Sequence, residues 1–268
     1  MATPAGTAEA VDDEAYRRFA AGVMALLGLD LLQYKRQQVW RRANAFGRQK
    51  GFVSCDALVA ACRTDPALRL ALRDMLTINV SEFFRDPAAW EGLRTVVLPA
   101  LLRQGRPIRF WSAGCSLGYE PYTFGMVARE AGALAPSILA TDLDETALER
   151  ARTGVFTERQ MAGVSPSRRG RFFEPSGDRW LVRPMLRDPI EWRRHDLLRD
   201  PFPADLDLVA CRNVVIYFTE DAKLRLYRRF AAALRVGGTL FMGATEAIVN
   251  PRAHGLETVA PGLYRRAA

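Results

Sequence analysis

Apolar residues recur along this chain in two rhythms. From about Asp13 to Met75 the spacing is three and four, with Tyr16, Phe19, Val23 and Leu26–Leu27 on one face, which predicts an amphipathic helix ended by Gly28. Asp30 is placed to cap a second helix, predicted over 31–49, whose core-facing stripe is Val39, Ala43 and Phe46. Gly51 closes it, and Cys55–Arg63 and Pro66–Met75 supply two more helices. The next stretch, TINVSEFFRDP (Thr77–Pro87), mixes Thr77, Asn79, Ser81 and Arg85 with Ile78, Val80, Phe83 and Phe84. Asn and Ser compete with helical backbone, so this reads as a connecting segment pinned by its aromatics.

After a helix over 88–104 the rhythm changes. Short apolar runs at 108–113, 137–142, 206–211 and 238–243 alternate with helical patterns at 121–132, 145–153 and 220–235. Such alternation predicts an α/β domain, a mostly parallel sheet with helices on both faces. Between them, Phe172-Phe173, Trp180–Val182 and Ile190–Trp192 are separated by Pro, Gly and Asp turns, which predicts an antiparallel insertion at about 170–193. The expected organisation is a disordered tail at 1–12, a small all-helical domain with its linker at 13–86, and the α/β domain at 87–268.

Open α/β sheets bind ligands at the carboxyl ends of their strands. There the chain carries WSAGCSLGYEPYT (Trp111–Thr123), in which Gly114 and Gly118 bracket a turn between the first strand and the next helix. Missing Cβ atoms and unpaired helix N–H groups suit a nucleotide-like cofactor. The spacing is neither GxGxxG nor a phosphate loop, so the turn alone equally fits a plain strand-to-helix connection. Asp142 ends the second strand in ILATDLD, where an acid can accept hydrogen bonds from ribose hydroxyls, while Asp144 fits a helix N-cap. In DLVACRNVVIYF, Arg212 and Asn213 leave the carboxyl end of a third strand and Tyr217 follows.

Composition narrows the chemistry. With 268 residues, 49% hydrophobic and 25% charged, the chain matches an ordinary globular protein. No apolar run reaches the ~18 residues of a membrane span, and the small, acidic N-terminus lacks the order of a signal peptide, so a cytoplasmic protein without membrane insertion is expected. Four cysteines without a CxxC pair and only two histidines leave little material for a metal site or a catalytic triad. The net charge of +8 predicts an acidic partner. On helix 31–49, Arg41 and Arg48 share the polar face, flanked by Lys35 and Arg42. That row fits docking against acidic helices or phosphates, and equally a solvated face. Without interleaved aromatics or a base-reading motif, nucleic acid is not the expected partner.

These motifs, in the order TINVSEFFRD, WSAGCSLGYEPYT, ILATDLDETALERARTGV, HDLL, CRNVVIYF and GATEAIVNP, resemble the CheR family from about Tyr16 to Tyr264. That family comprises S-adenosylmethionine-dependent methyltransferases that esterify glutamates of bacterial chemoreceptors. The resemblance implies a helical N-terminal domain, a Rossmann-like methyltransferase domain with an inserted β-subdomain, and S-adenosylhomocysteine as the cofactor product. It implies cofactor contacts at Asn79, Ser81, Arg85, Gly114, Gly118, Glu120, Asp142, Asp196, Leu197, Arg212 and Asn213, and methyl-transfer roles for Arg85 and Tyr217. Three positions depart from the usual pattern. Tyr119 replaces the first acid of TGEEPY, removing a charge and adding bulk beside the turn; Asp196 stands where Asn is common, and Ser81 where Thr is common. A glutamate is already ionised at neutral pH, with a reference pKa of about 4.3, so the scarcity of histidine is no obstacle. The implied partner is the cytoplasmic helical region of a methyl-accepting chemoreceptor, met by Lys35, Arg41, Arg42 and Arg48, with the enzyme a monomer. The turn Glu174–Arg179 lacks the GxG of members that bind a receptor C-terminal peptide, so recognition without that peptide is expected. Two other readings share these residues: a methyltransferase for another acidic protein in a chemosensory-like pathway, and a cofactor-binding scaffold without activity.

Overall fold

The computed structural model describes residues 12–77, 79–133 and 136–268. The tail expected over 1–12 lies outside these apart from Asp12, whose carboxylate accepts the Glu14 N–H at 2.9 Å and the Ala15 N–H at 3.2 Å and so starts α1 (Asp13–Leu27). The chain divides into a helical unit, which runs to residue 78 and takes in Tyr217–Thr219, and an α/β unit of the remaining residues from Asn79. The boundary expected after residue 86 therefore falls at 78–79. The reason lies in Phe83, whose ring meets those of Tyr119, Phe156 and Phe173 edge-on at 4.9, 4.8 and 5.7 Å, within the α/β unit.

In the helical unit α1 is followed by α2 (Arg36–Gln49), α3 (Cys55–Cys62) and α4 (Pro66–Thr77). The single helix expected over 31–49 is broken. Asp30 caps a 3-10 turn at Leu31–Gln33, and the chain is extended at Tyr34 before α2 begins. The segment Tyr217–Thr219 causes the break: the Lys35 N–H donates to the Tyr217 carbonyl and the Thr219 N–H to that of Gln33, both at 2.8 Å. The rings of Tyr34 and Phe218 meet edge-on at 4.9 Å. These backbone groups are committed to a distant segment, and local periodicity cannot show that. The core stripe of α2 is also rotated. Ala43 and Gly47 are buried and Trp40 packs edge-on against Tyr16 and Phe19, whereas Val39 and Phe46 are only half-buried.

The α/β unit opens with α5 (Pro87–Gly92) and α6 (Leu98–Leu102), joined by a π-turn at Leu93–Val97 within the helix expected over 88–104. Then come β1 (Arg109–Ala113), α7 (Tyr119–Glu130), β2 (Ser137–Asp142), α8 (Glu145–Thr153) and β3 (Val155–Thr157). They are followed by α9 (Pro166–Phe172), β4 (Phe173–Ser176), β5 (Arg179–Val182), α10 (Pro184–Arg187) and β6 (Ile190–Arg194). The chain ends with β7 (Leu206–Cys211), α11 (Glu220–Ala233), β8 (Leu234–Met242), β9 (Leu256–Ala260) and β10 (Leu263–Arg266). Seven strands form a Rossmann-like sheet in the order β6-β2-β1-β7-β8-β10-β9. The first five run parallel, and β10 and β9 are antiparallel. β7, at the centre, is buried at all six positions, as expected of a strand covered on both faces. Phe110 of β1 stacks on Phe124 of α7 with ring centroids 3.9 Å apart.

An antiparallel sheet of order β3-β5-β4 is present, but its membership corrects the expected insertion at 170–193. It recruits β3 from before that range. It loses the strand at Ile190, which instead pairs parallel with β2 from Ile138↔Ile190 to Asp142↔Arg194. A short apolar run looks the same in either sheet; only the long-range partner differs. The consequence is functional, because β6 carries Asp196 and Leu197 to the carboxyl edge beside Asp142. There the His195 N–H donates to the Asp142 carbonyl at 2.9 Å.

Candidate functional site at the carboxyl edge

The turn after β1 requires glycine at both ends, by its backbone conformation and by the side chains packed against it. Gly114 and Gly118 have φ of +86° and +85°. A Cβ on Gly114 would lie 2.6 Å from Val214, and one on Gly118 would lie 2.9 Å from both Ala151 and Trp192. Ser116 between them is also left-handed, at φ 49°. The Gly114 and Cys115 N–H groups donate to the Thr141 carbonyl at 2.8 and 2.9 Å. Asp142 braces the same turn: Oδ2 accepts the Ser116 N–H at 2.7 Å and Oδ1 the Asp144 N–H at 2.9 Å. Burial raises the Asp142 carboxyl pKa and these amide donors oppose the rise. Each oxygen keeps accepting capacity for another donor. Asp144 caps α8, as expected, through the Thr146 and Ala147 N–H groups. Asn79 links the two, donating Nδ2 to Asp144 at 2.7 Å and accepting the Ser116 hydroxyl at 2.8 Å.

A second group gathers at the end of β7. Glu120, in the first turn of α7, accepts the Ser112 hydroxyl at 2.7 Å and lies 3.9 Å from the Arg212 guanidinium. Burial raises the Glu120 pKa, with Arg212 the leading opposing influence. The Arg212 side chain is 3% exposed and sits over the rings of Phe241 and Trp90, at 4.6 and 5.3 Å. Its Nη2 donates to the Arg85 carbonyl at 2.7 Å and to the Asp86 carboxylate at 2.9 Å. Arg85 stands between two left-handed residues, Phe84 and Asp86, each at φ 55°. Its own guanidinium donates to the Val80 carbonyl at 3.2 Å, and Ser81 is half-buried on the same segment. After β6, the Asp196 N–H donates to Asp200 at 2.8 Å and its carboxylate accepts the Leu198 N–H at 2.8 Å. The neighbouring Leu197 is buried. Asn79, the glycine turn, Asp142, Glu120, Asp196, Leu197, Arg212, Asn213 and the segment carrying Ser81 and Arg85 thus belong to one unit.

Sequence reasoning missed Glu246, Ser112 and Asp86. Glu246 lay within the GATEAIVNP motif, and its signal was an acid just beyond the carboxyl end of the last parallel strand. The bulk of Tyr119 is absorbed away from the turn backbone. Its ring is buried against Phe83 and Phe156, at 4.9 and 5.2 Å.

The remaining candidates lie in the helical unit and do not form the uniform row expected. Lys35 precedes α2 as its N-cap residue, and Arg41 and Arg48 are exposed. Arg42 is half-buried and donates to the Met75 carbonyl; burial lowers its pKa. Tyr217 is half-buried, and with Tyr34, Gln38, Arg41 and Arg42 it lines a cavity of about 200 Å³ floored by Val39 and Leu76.

Two buried polar atoms at the end of β7, Arg212 Nε and Asn213 Oδ1, have no hydrogen-bond partner among the described residues. Together with the Asp142 carboxylate, which keeps accepting capacity at the same edge, they fit a site for a polar nucleoside-type cofactor. Fold and site thus define a Rossmann-like α/β protein with a nucleoside-type cofactor site. Residues 79–260 match the family model described as CheR methyltransferase, SAM binding domain, and residues 14–77 match CheR methyltransferase, all-alpha domain. The chain belongs to the CheR methyltransferase family, and its cofactor is S-adenosylmethionine. It is 41% identical over 251 residues to a chemotaxis protein methyltransferase of Listeria monocytogenes, covering 93% of this chain and 96% of that one. It is 36% identical over 255 residues to chemotaxis protein methyltransferase 1 of Pseudomonas aeruginosa, covering 90% and 93%. Among the described residues no helix is long and apolar enough to cross a membrane.

Proposed function

We propose that the protein transfers the methyl group of S-adenosylmethionine to glutamate side-chain carboxylates in the cytoplasmic helical region of methyl-accepting chemoreceptors. The products are glutamate methyl esters and S-adenosylhomocysteine. The observation that carries this reading is the cradle of Asn79, Gly114–Gly118 and Asp142 in a chain akin to chemotaxis methyltransferases along most of its length. When bound, the cofactor supplies a methyl group activated by its positive sulfonium. Asp142 would accept hydrogen bonds from the ribose hydroxyls with its remaining lone pairs, and Gly114 and Gly118 allow the left-handed turn that Asp142 braces. Asp196 and Leu197 border the site on the β6 side, while Asn79, Ser81, Glu120, Arg212 and Asn213 complete it.

A substrate glutamate needs no general base, because its carboxylate is ionised well above about pH 4.3. Negative carboxylate and positive sulfonium become neutral ester and thioether. The enzyme's task is therefore to align the pair and exclude water. Arg85 orients the carboxylate, and Lys35, Arg41, Arg42 and Arg48 of the helical unit favour an acidic helical surface. The test combines purified protein, tritiated-methyl S-adenosylmethionine and membranes carrying the host's receptors. Label released by base as methanol is the expected result. Cofactor binding without base-labile label on any receptor would overturn the reading.

A further inference from the structure

Glu246 lies beyond the carboxyl end of β8 and is 4% exposed. Its carboxylate is engaged by backbone amides. Oε2 accepts the N–H groups of Asn213 at 2.5 Å and Gly243 at 2.9 Å, and Oε1 accepts that of Ile216 at 3.2 Å. One acid therefore holds the second residue of the loop leaving β7, a residue three further along it, and the residue that follows β8. Burial raises the Glu246 pKa, and bonds from Asn213, Gly243, Ile216 and Val214 oppose that rise. A carboxylate in such a place is costly unless these donors are met.

The loop it holds turns through a left-handed residue, Asn213 at φ 60°, a conformation that asparagine adopts more readily than other non-glycine residues. The Asn213 side chain also carries the buried, unpartnered Oδ1. Packing leaves no slack, since a Cβ on Gly243 would lie 2.6 Å from Glu246 Oε2 and 3.0 Å from Asn213 Nδ2.

We propose that Glu246 is a positioning residue for the cofactor: its carboxylate fixes the backbone from Asn213 to Ile216 and so sets the Asn213 side chain at the carboxyl end of β7. Two acceptor oxygens are required. A glutamine would turn an NH2 donor toward amide N–H groups at one of the two positions. The inference rests on S-adenosylmethionine-dependent methyl transfer as the reaction.

Glu246→Gln is compared with Asp207→Asn, a buried carboxylate at the opposite end of β7 that accepts the Arg109 N–H and pairs with Arg106 and Arg235. Each protein is measured for melting temperature, S-adenosylhomocysteine affinity by calorimetry, and kcat with KM for the receptor. The expected result is a folded Glu246→Gln protein whose cofactor affinity falls about tenfold and whose kcat at saturating cofactor falls up to about 10²-fold. Its receptor KM stays unchanged. Asp207→Asn melts lower and keeps wild-type affinity and kcat per folded molecule. If Glu246→Gln does not fold, Gly243→Ala, which presses on the same contact without altering charge, carries the same expectation. Wild-type cofactor affinity in a folded Glu246→Gln or Gly243→Ala protein overturns the proposal. So does a loss in both end-of-strand variants that tracks melting temperature alone. A wild-type protein that binds cofactor but labels no receptor counts against the reaction, and the affinity comparison still decides the role of Glu246.

Discussion

At the amino end of β7, Asp207 is buried with every demand met. Arg106 donates to it at 2.8 and 2.5 Å, Arg235 at 3.2 Å, and the Arg109 N–H at 2.8 Å. At the carboxyl end of the same strand the parts are similar but the outcome differs. Glu120 and Glu246 are raised in pKa by burial, Arg212 faces the backbone of Arg85, and Arg212 Nε and Asn213 Oδ1 have no partner. Four of the six left-handed non-glycine residues among those described, Phe84, Asp86, Ser116 and Asn213, belong to the segments gathered at this edge. Ion pairs occur at both ends, and left-handed Asp205 precedes β7 at the amino end, but Arg212 Nε and Asn213 Oδ1 and most of the left-handed residues lie at the carboxyl end. That is the pattern of an edge arranged for a ligand.

The sharpest way to break the contrast is to add one methyl group at each edge. Gly118→Ala places a Cβ 2.9 Å from Ala151 and Trp192 at a φ of +85°. Cofactor affinity should fall on the order of 100-fold through overpacking and strain of a few kcal/mol. Gly105→Ala, leading into the amino end of β1 at φ +66° with open space around it, should cost about 1 kcal/mol of stability and leave affinity alone. Calorimetry with S-adenosylhomocysteine and thermal melting decide this, and equal losses of affinity would remove the distinction between the edges. Arg85→Ala should then lower kcat about 10²-fold at saturating cofactor by releasing the substrate carboxylate. Full turnover in that variant would take Arg85 out of the transfer step.

The pH dependence of stability should carry opposite signs at the two ends. Burial alone would raise the Asp207 pKa, but the Arg106 and Arg109 hydrogen bonds pull it below its ordinary value. A depressed acid stabilises the fold above its unfolded pKa of about 3.9 and loses that contribution as pH falls through the folded value. Asp207→Asn should therefore cost on the order of 3 kcal/mol near neutrality, and the gap to wild type should close in acid. Glu120 is raised, so its charge is a cost above its folded pKa and that cost is relieved as pH falls. Glu120→Gln should raise the melting temperature of the cofactor-free protein near neutrality by about 2 °C while weakening cofactor binding. Melting curves from pH 3 to 8, on a scale of about one unit per step, read both effects, and parallel profiles for the two variants would contradict the sign difference.

The contrast also explains what could be read from residue order. Strand–helix alternation, the glycine turn, Asp142 and the capping role of Asp144 are local signals written within a few residues. The break before α2, the transfer of β6 to the main sheet and the clasp on Asn213 are not local. They depend on Lys35 meeting Tyr217, Ile190 meeting Ile138, and Glu246 meeting Asn213, 33 residues apart. Periodicity shows that a segment has an apolar face but not which distant backbone satisfies its amides. The family resemblance supplied Arg212 as a cofactor contact. The geometry shows its side chain engaged with Arg85 and Asp86, which no spacing rule conveys.

The smallest expected effect applies the same distinction, met against unmet, to the basic residues of α2. Arg41 and Arg48 are exposed, whereas Arg42 gives a guanidinium hydrogen bond to the Met75 carbonyl in the last turn of α4. A row used only for long-range attraction should behave alike at every position; this one should not. Arg41→Ala and Arg48→Ala should each weaken receptor binding a few-fold at low salt, with the difference vanishing once the screening length drops to about 3 Å near 1 M salt. Arg42→Ala should lower the melting temperature at every salt concentration, because it leaves a helix C-terminal carbonyl without its donor. Receptor affinity measured against salt for all three variants separates the two kinds of arginine. An affinity that does not change with salt in the wild-type protein would mean that α2 does not read an acidic surface at all.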